Sequence, residues 1–278
     1  MGLIIRVKKS HTIYYRMSFF QIKKYLNYCL HAKYRKGYGL HSPFVFNLVR
    51  EVFYCEHSFY AFDLIKEYKN ELKLANKVIS VVDYGAGSSN FTSKDRSVEK
   101  LVKASSISTK YGELLFRLLQ HINPHNILEL GTSIGISTLY LALADRRREV
   151  LTIEGCVETA KQAQIAFDKF DCSNVKQFVG QFQDVLPNLV AKTDVLDFVF
   201  FDGNHQKQAT IDYFNLCLTK VGANSVFVFD DIYWSKGMSE AWDIIRQHPQ
   251  VTVSIDVFQL GIVFFNKDYS KQNFVVRL

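Results

Sequence analysis

Two textures divide the chain. Between Met17 and about Leu74, apolar and aromatic residues recur at helical spacing. Phe20, Tyr25 and Tyr28 alternate with basic residues, and Phe44, Leu48, Val49, Val52 and Phe53 make an i, i+4, i+5, i+8, i+9 stripe. Ser42 followed by Pro43 is an N-cap and first-turn pair that opens this second helix. The spacing predicts an all-helical N-terminal region, followed by a long loop at 83–97, DYGAGSSNFTSKDRS, of a length that often marks a lid. From about Ser108 helices alternate with short apolar runs. An amphipathic helix at Lys110–His121, ended by Asn123 and Pro124, leads into strands at Asn126–Leu130, Val150–Ile153, Val175–Val179, Val195–Phe201 and Ser225–Phe229. Helices fill the intervals at about 136–145, 157–169, 183–191, 206–220 and 237–247. Two more strands, Val251–Asp256 and Gly261–Phe265, follow the last helix with a short connection between them. Five β/α units and a closing hairpin predict an α/β architecture with a mostly parallel sheet over residues 106–278, preceded by a helical extension over 1–105.

Composition sets bounds on this picture. A chain of 278 residues, 48% hydrophobic and 22% charged, buries a real core and is neither disordered nor fibrous. The five cysteines are an odd number, widely spaced and without a CxxC pair, so neither a disulfide framework nor a zinc finger is signalled. The start has no apolar run long enough for a signal peptide, Arg6 stands where a myristoylation signal wants Ser or Thr, and no run approaches a membrane span. A soluble cytoplasmic protein is the expectation. The net charge of +7 is unevenly placed: ten of the 34 Lys and Arg residues fall within residues 1–50, where no Asp or Glu occurs. This is a basic appendage on a near-neutral body, a different object from a uniformly basic nucleic-acid binder. Residues 1–16 fit no element, so Met17 is a candidate start.

The candidate chemistry sits at strand ends. The first strand and its turn read ILELGTSIGISTLYLALA, with Glu129, Gly131, Thr132, Ser133 and Gly135 leading into a helix. Glycines there admit a ligand close to the backbone, and the helix start offers free N–H groups. The spacing Gly-x-x-x-Gly is not the Gly-x-Gly-x-x-Gly of a dinucleotide pyrophosphate loop, and an amino-acid moiety fits better. The second strand ends LTIEG, placing Glu154, followed by Gly155, where a carboxylate accepts ribose hydroxyls or simply caps a solvated strand end. The fourth and fifth strands end FVFFDGNH and VFVFDDIYW, so Asp202, Asp230 and Asp231 converge at the same sheet edge. Three bare carboxylates there would repel, and Mg²⁺ is the natural neutraliser; alternatively Asp202 orients a loop and one of the pair caps the next turn.

The region from Ser108 to Phe265 resembles the class I S-adenosylmethionine-dependent methyltransferases, in the style of the catechol and macrocin-type O-methyltransferases, including bacterial members with a helical N-terminal extension. ELGTSIGIST is similar to that superfamily's cofactor loop and LTIEG to its ribose-binding strand end. VGQFQDVLPNL resembles the segment lining the adenine pocket, which gives that role to Phe182, Gln183 and Asp184. The resemblance implies a Rossmann-like seven-stranded sheet with an antiparallel last strand, S-adenosylmethionine as cofactor, and a hydroxyl of a small-molecule or sugar-like acceptor as the methylated group. Metal-dependent relatives place an Asp after strand four and Asp-Asp or Asp-Asn after strand five, matching Asp202, Asp230 and Asp231. The catechol-type lysine base three residues beyond the first Asp is replaced here by His205. An imidazole titrates in the right range for a base, with Lys207 as the alternative and a helix cap as the plain structural reading of His205.

Two other motifs bear on the reading. DYGAGS, 83–88, imitates the cofactor loop but is followed by a polar, charged stretch, which makes it a lid or linker. KYRKGYGLHSPF, 33–44, mixes basic and aromatic residues as nucleic-acid grooves do, though such residues more often pack with their lysines solvated. Trp234 and Trp242 are expected beside the site, Trp234 against the acceptor. The alternatives are therefore an RNA methyltransferase docking through the basic extension and a non-catalytic interaction protein that keeps the fold. A dimer is compatible with each reading.

Overall fold

The computed structural model describes residues 18–32, 37, 39–82, 95–104 and 106–278. Residues 1–17, DYGAGS, and the 33–36 portion of the basic-aromatic motif lie outside them.

The central sheet has the strand order β10-β8-β9-β7-β6-β3-β4-β5. Its strands are β3 (Asn126–Leu130), β4 (Glu149–Glu154), β5 (Val175–Val179), β6 (Leu196–Phe201), β7 (Val221–Phe229), β8 (Val253–Asp256), β9 (Gly261–Phe264) and β10 (Gln272–Val275). All seven strands expected from the apolar runs are present, and β9 is antiparallel to both β7 and β8. The sheet gains an eighth strand, β10, which pairs parallel with β8 at the edge. Its four residues, QNFV, are too short and too polar to show a period.

Both faces of the sheet are covered, which is why its strands read as continuous apolar runs. Alternate residues feed two clusters. Ile127, Phe198, Phe200, Val226 and Val228 pack on one face, under α5 (Thr109–Ile122), α6 (Ile136–Ala144) and α7 (Val157–Lys169). Leu128, Leu130, Val199, Phe201, Phe227 and Phe229 pack on the other, under α8 (Phe182–Lys192), α9 (Lys207–Leu218) and α10 (Lys236–Gln247). Asn123 caps α5 in the left-handed conformation that asparagine tolerates, so the helix ends before Pro124 as expected.

The N-terminal residues are built onto the first of these faces. Helices α1 (Phe19–His31), α2 (Pro43–Leu48, continuing as a π turn at Val49–Phe53), α3 (Tyr60–Leu74) and α4 (Val98–Ala104) precede α5. Ser18 and Gln21 close a capping box at the start of α1, and Ser42 and Pro43 open α2 as expected. Val45, Leu48, Val49, Val52, Phe62 and Ile65 belong to the same cluster as the sheet residues, so extension and sheet share one core. Phe44 stacks on Tyr269 at 4.6 Å and meets Phe264 edge-on at 5.0 Å, so the described aromatic of the 33–44 motif is a packing residue.

The all-helical reading needs one correction. Strands β1 (Val78–Ser80) and β2 (Asp95–Ser97) pair antiparallel, Val78 opposite Ser97, so the segment expected as a loop to residue 97 ends in a strand. Buried Ile79 and Val81 anchor this hairpin to the helical layer. Three-residue strands carry no detectable alternation. Among the described residues no helix is long and apolar enough to cross a membrane.

Candidate active site

The sheet reverses direction of winding between β3 and β6, and the carboxyl ends of strands flanking such a switch point form a crevice. A cavity of about 680 Å³ opens there, lined by strand-end loops on one side and by α3, α4 and the start of α5 on the other.

The β3–α6 turn forms its floor. Gly131 has φ +108°, and a Cβ on it would lie 2.0 Å from the backbone oxygen of Asp202. Only a glycine lets the β3 and β6 loops close to that distance. Gly135, φ +86°, is the N-cap of α6 and packs against Ala163 of α7. Glu154, at the end of β4, accepts from the Ser133 backbone N at 2.7 Å and from the Cys156 backbone N at 2.8 Å. These bonds fix its carboxylate over the turn, where the remaining lone pairs can accept a diol.

Behind the turn stands a buried network. Glu129 is fully inaccessible and accepts from Thr138 Oγ1 at 2.5 Å and Thr152 Oγ1 at 2.6 Å, while the Thr132 and Thr152 hydroxyls lie 2.6 Å apart. Burial pushes the Glu129 carboxyl up to about 7, opposed by the hydroxyls that bond it.

The rim on the β6 and β7 side is acidic. Burial first, and then the carboxylates of Asp230 and Asp231, hold Asp202 well above the ordinary aspartate range. Burial and Asp231 do the same to Asp230. Asp230 Oδ1 is buried without a hydrogen-bond partner. Asp231 takes a left-handed backbone, φ +54°, and burial also raises its carboxyl. His205 Nε2 stands 3.9 Å from both Asp202 Oδ1 and Asp231 Oδ2, a one-water separation, and is half-buried.

Gly131, Ser133, Glu154, Gly155, Phe182, Gln183, Asp202, His205, Asp230, Asp231 and Trp234 of the sequence-based set all line the cavity. Glu129, Thr132 and Gly135 do not; they support the turn from behind. Asp184, one turn into α8, is likewise absent from the lining. Lys207 is corrected: its ammonium is tied to Glu240 Oε2 at 2.8 Å, across the α9–α10 contact, and the residue is not in the cavity wall. Trp242 is fully buried behind the site against Gly261 and Phe229.

Several lining residues carry no sequence signal. Asn204, in the left-handed region, donates to Tyr213 OH at 3.2 Å, and Tyr213 meets Phe182 edge-on. Tyr111 of α5 donates to Val257 O at 2.9 Å and presents its ring to the cavity. Helix α1 closes the far side of the mouth: Gln21 Nε2 donates to Trp234 O at 3.2 Å, and Lys24 lies 5.1 Å from the Tyr233 ring centroid. Lys69 is another.

The acidic rim has the chemistry a hard cation takes: oxygen donors, an unsatisfied Oδ1 on Asp230, and repulsion that a dipositive charge relieves. Among the described residues no group of three or more His, Cys, Asp or Glu side chains is drawn into a ready cage.

Comparison with known proteins agrees with this architecture. Residues 128–232 match the model of a methyltransferase domain. A catechol O-methyltransferase of Niastella koreensis is 31% identical over 132 residues, 46% of this chain and 59% of that protein. A catechol O-methyltransferase of Mycobacterium tuberculosis is 27% identical over 135 residues, 48% of this chain and 60% of that protein. The chain thus spans under two thirds of the length of these curated relatives. Among solved structures, an O-methyltransferase from Bacillus cereus, in complex with S-adenosylhomocysteine, superposes with TM-score 0.53 at 19% identity over 79% of this chain and 96% of that one. The O-methyltransferase of Streptomyces achromogenes involved in tomaymycin synthesis, solved with S-adenosylmethionine, gives 0.54 at 20% identity over 76% and 91%. With the strand order, the glycine turn and the acidic strand ends all in place, residues 128–232 match a methyltransferase domain and the chain shares the fold of these solved O-methyltransferases.

Proposed function

We propose that the protein transfers the methyl group of S-adenosylmethionine to a hydroxyl of a small-molecule acceptor. The observation that carries the reading is that Gly131 and Glu154 line the same crevice as His205, Asp202 and Asp231. Donor site and acid–base groups thereby share a single cavity.

S-adenosylmethionine, when bound, supplies an electrophilic methyl on a sulfonium. Gly131 leaves room against the backbone, Glu154 takes the ribose hydroxyls, and Phe182 with Gln183 borders the adenine end. Glu129 holds the turn through Thr138 and Thr152 without reaching the cavity. His205 accepts the acceptor's proton, and Asp202 and Asp231, each 3.9 Å away, orient its ring and favour the imidazolium that forms. Asp202, Asp230 and Asp231 would hold Mg²⁺, which would lower the acceptor hydroxyl's pKa there. Tyr111 and Trp234 wall the acceptor side, and the appended helices exclude water. Positioning donor and acceptor in line supplies much of the rate.

Isothermal titration with S-adenosylhomocysteine tests the cofactor site: binding is expected, and Glu154→Ala is expected to weaken it by about tenfold or more. Binding that is absent, or unchanged in the variant, overturns the reading. For the base, His205→Gln should lower kcat with little change in KM for the cofactor. Activity that is insensitive to Mg²⁺ and to chelator removes the metal from the proposal.

A further inference from the structure

Helix α3 reads YAFDLIKEYKNELKL. Its core stripe is Phe62, Ile65, Tyr68 and Leu72. Beside it, Lys66, Lys69, Asn70 and Lys73 recur at i, i+3, i+4 and i+7, which sets them on one face. Such a face is ordinarily solvated. Here it forms a wall of the active-site cavity, joined by Arg96 of β2 and Lys103 of α4.

Lys69 is the anomalous member. It is only 8% exposed, and its Nζ donates to the backbone oxygen of Ile107 at 2.8 Å. An ammonium has three N–H donors. Among the described residues no carboxylate stands within ion-pair distance of it. Burial pushes its amine down to about 8, and Lys73, a like charge, pushes the same way. The carboxylates that line the cavity, Glu154, Asp202, Asp230 and Asp231, all come from the strand-end side. Lys103 is paired with Glu99, whereas Lys73 has a hydrogen bond to Asn70 Oδ1 at 3.3 Å and no ion pair among the described residues.

A buried ammonium beside a second lysine is unfavourable unless an anion completes it. The cavity gives such an anion access. We infer that the lysine face of α3, centred on Lys69, binds a negatively charged group, phosphate or carboxylate, of the methyl acceptor, which makes the substrate an anionic hydroxyl compound. This inference rests on the methyltransferase reading. The lysines come from the appended helices and not from the strand-end loops that carry Gly131 and Glu154, so the anion they hold is assigned to the acceptor. Its hydroxyl then faces His205 while its charge rests on Lys69 and Lys73. The acidic rim disfavours the reverse orientation by repulsion.

The test uses the full chain, with and without S-adenosylhomocysteine, at constant ionic strength. Inorganic phosphate and succinate are titrated by calorimetry as probes of the two anion types. Saturable binding of at least one is expected, weakened about tenfold or more in Lys69→Met and to a smaller degree in Lys73→Gln, and retained in Lys69→Arg. S-adenosylhomocysteine affinity should stay within about twofold of the parent in all three. Which probe binds tells phosphate from carboxylate. Neither probe binding, or equal binding in the parent and the Met and Gln variants, overturns the proposal. So does a tenfold loss of S-adenosylhomocysteine affinity in Lys69→Met, which would assign the lysine to the cofactor's own carboxylate. If Lys69→Met fails to fold, Lys73→Gln and Lys69→Arg decide the same question. Failure of S-adenosylhomocysteine to bind the parent chain sinks the methyltransferase reading alone, because the anion titrations on the free protein still report on the lysine wall.

Discussion

The two walls of the cavity bury charge of opposite sign by different means. On the strand-end wall, Asp202, Asp230 and Asp231 follow strands packed on both faces, and burial together with the neighbouring carboxylates raises the carboxyls of Asp202 and Asp230. On the helical wall, Lys69 is held by one carbonyl and faces another lysine. The strand-end cluster follows from the topology, since any open α/β sheet brings loop residues together at its switch point. The lysine wall exists only because the extension folds down onto α5 and α6 and turns one face of α3 inward. On the proposed reading, the chemistry sits on the rigid sheet, and selectivity for the acceptor sits on the helices added to it.

The largest effect should come from the floor both walls share. Gly131→Ala places a methyl 2.0 Å from the Asp202 backbone at a left-handed φ. About 4 kcal/mol of stability and all measurable S-adenosylhomocysteine binding should be lost, read by urea denaturation and calorimetry. A variant that binds normally would show that the β3 and β6 loops adjust independently. On the acidic wall, Asp202→Asn keeps shape and removes charge; kcat should fall by about a hundredfold or more, with cofactor affinity less affected. An equal fall in both would mean that Asp202 serves only to shape the pocket.

Titration separates the walls further, because the signs differ. Glu129 keeps its proton in the folded chain up to about 7, whereas the unfolded carboxyl loses it near 4.5. Between those values the folded state binds more protons, so stability falls as pH rises, by roughly 3 kcal/mol, and Glu129→Gln should flatten this window. Lys69 behaves oppositely: its folded value of about 8 lies below the ordinary 10.5, so the unfolded chain binds the proton more tightly between them. Stability contributed by this site is lowest below pH 8 and rises toward 10.5. The smallest effect follows: Lys69→Met should stabilise the ligand-free protein by about 1–2 kcal/mol at pH 7, measured by urea denaturation, and remove the alkaline rise. A destabilised variant would show that the Ile107 hydrogen bond outweighs the buried charge.

The extent to which these features were legible follows their range in sequence. ELGTSIGIST and LTIEG announce the floor because strand, turn and helix start are adjacent, so Gly131 and Glu154 are readable from local order. His205 and the three aspartates are readable because strand ends have a fixed destination. Lys207 misled because its distance along the chain from Asp202 resembles that of a base, yet the first turn of α9 directs it to Glu240 on α10. The β1–β2 hairpin and β10 escaped because strands of three or four residues have no period to detect. Tyr111 and Asn204 gave no signal, since the residues with which they line the cavity lie far away along the chain.

The sequence by itself determined the order of strands and helices, the glycine turn, the acidic residue at each decisive strand end and the concentration of positive charge before residue 50. All of these are local, carried by period, capping and turn chemistry. Only the tertiary structure decided that extension and sheet share one core, that Asp202 and Asp230 are buried among neighbouring carboxylates, and that one lysine in a helix of ordinary appearance is buried against the cavity. Burial and Coulomb interaction depend on distances through space, and residues 69, 107 and 202 acquire a common environment only once the chain has folded.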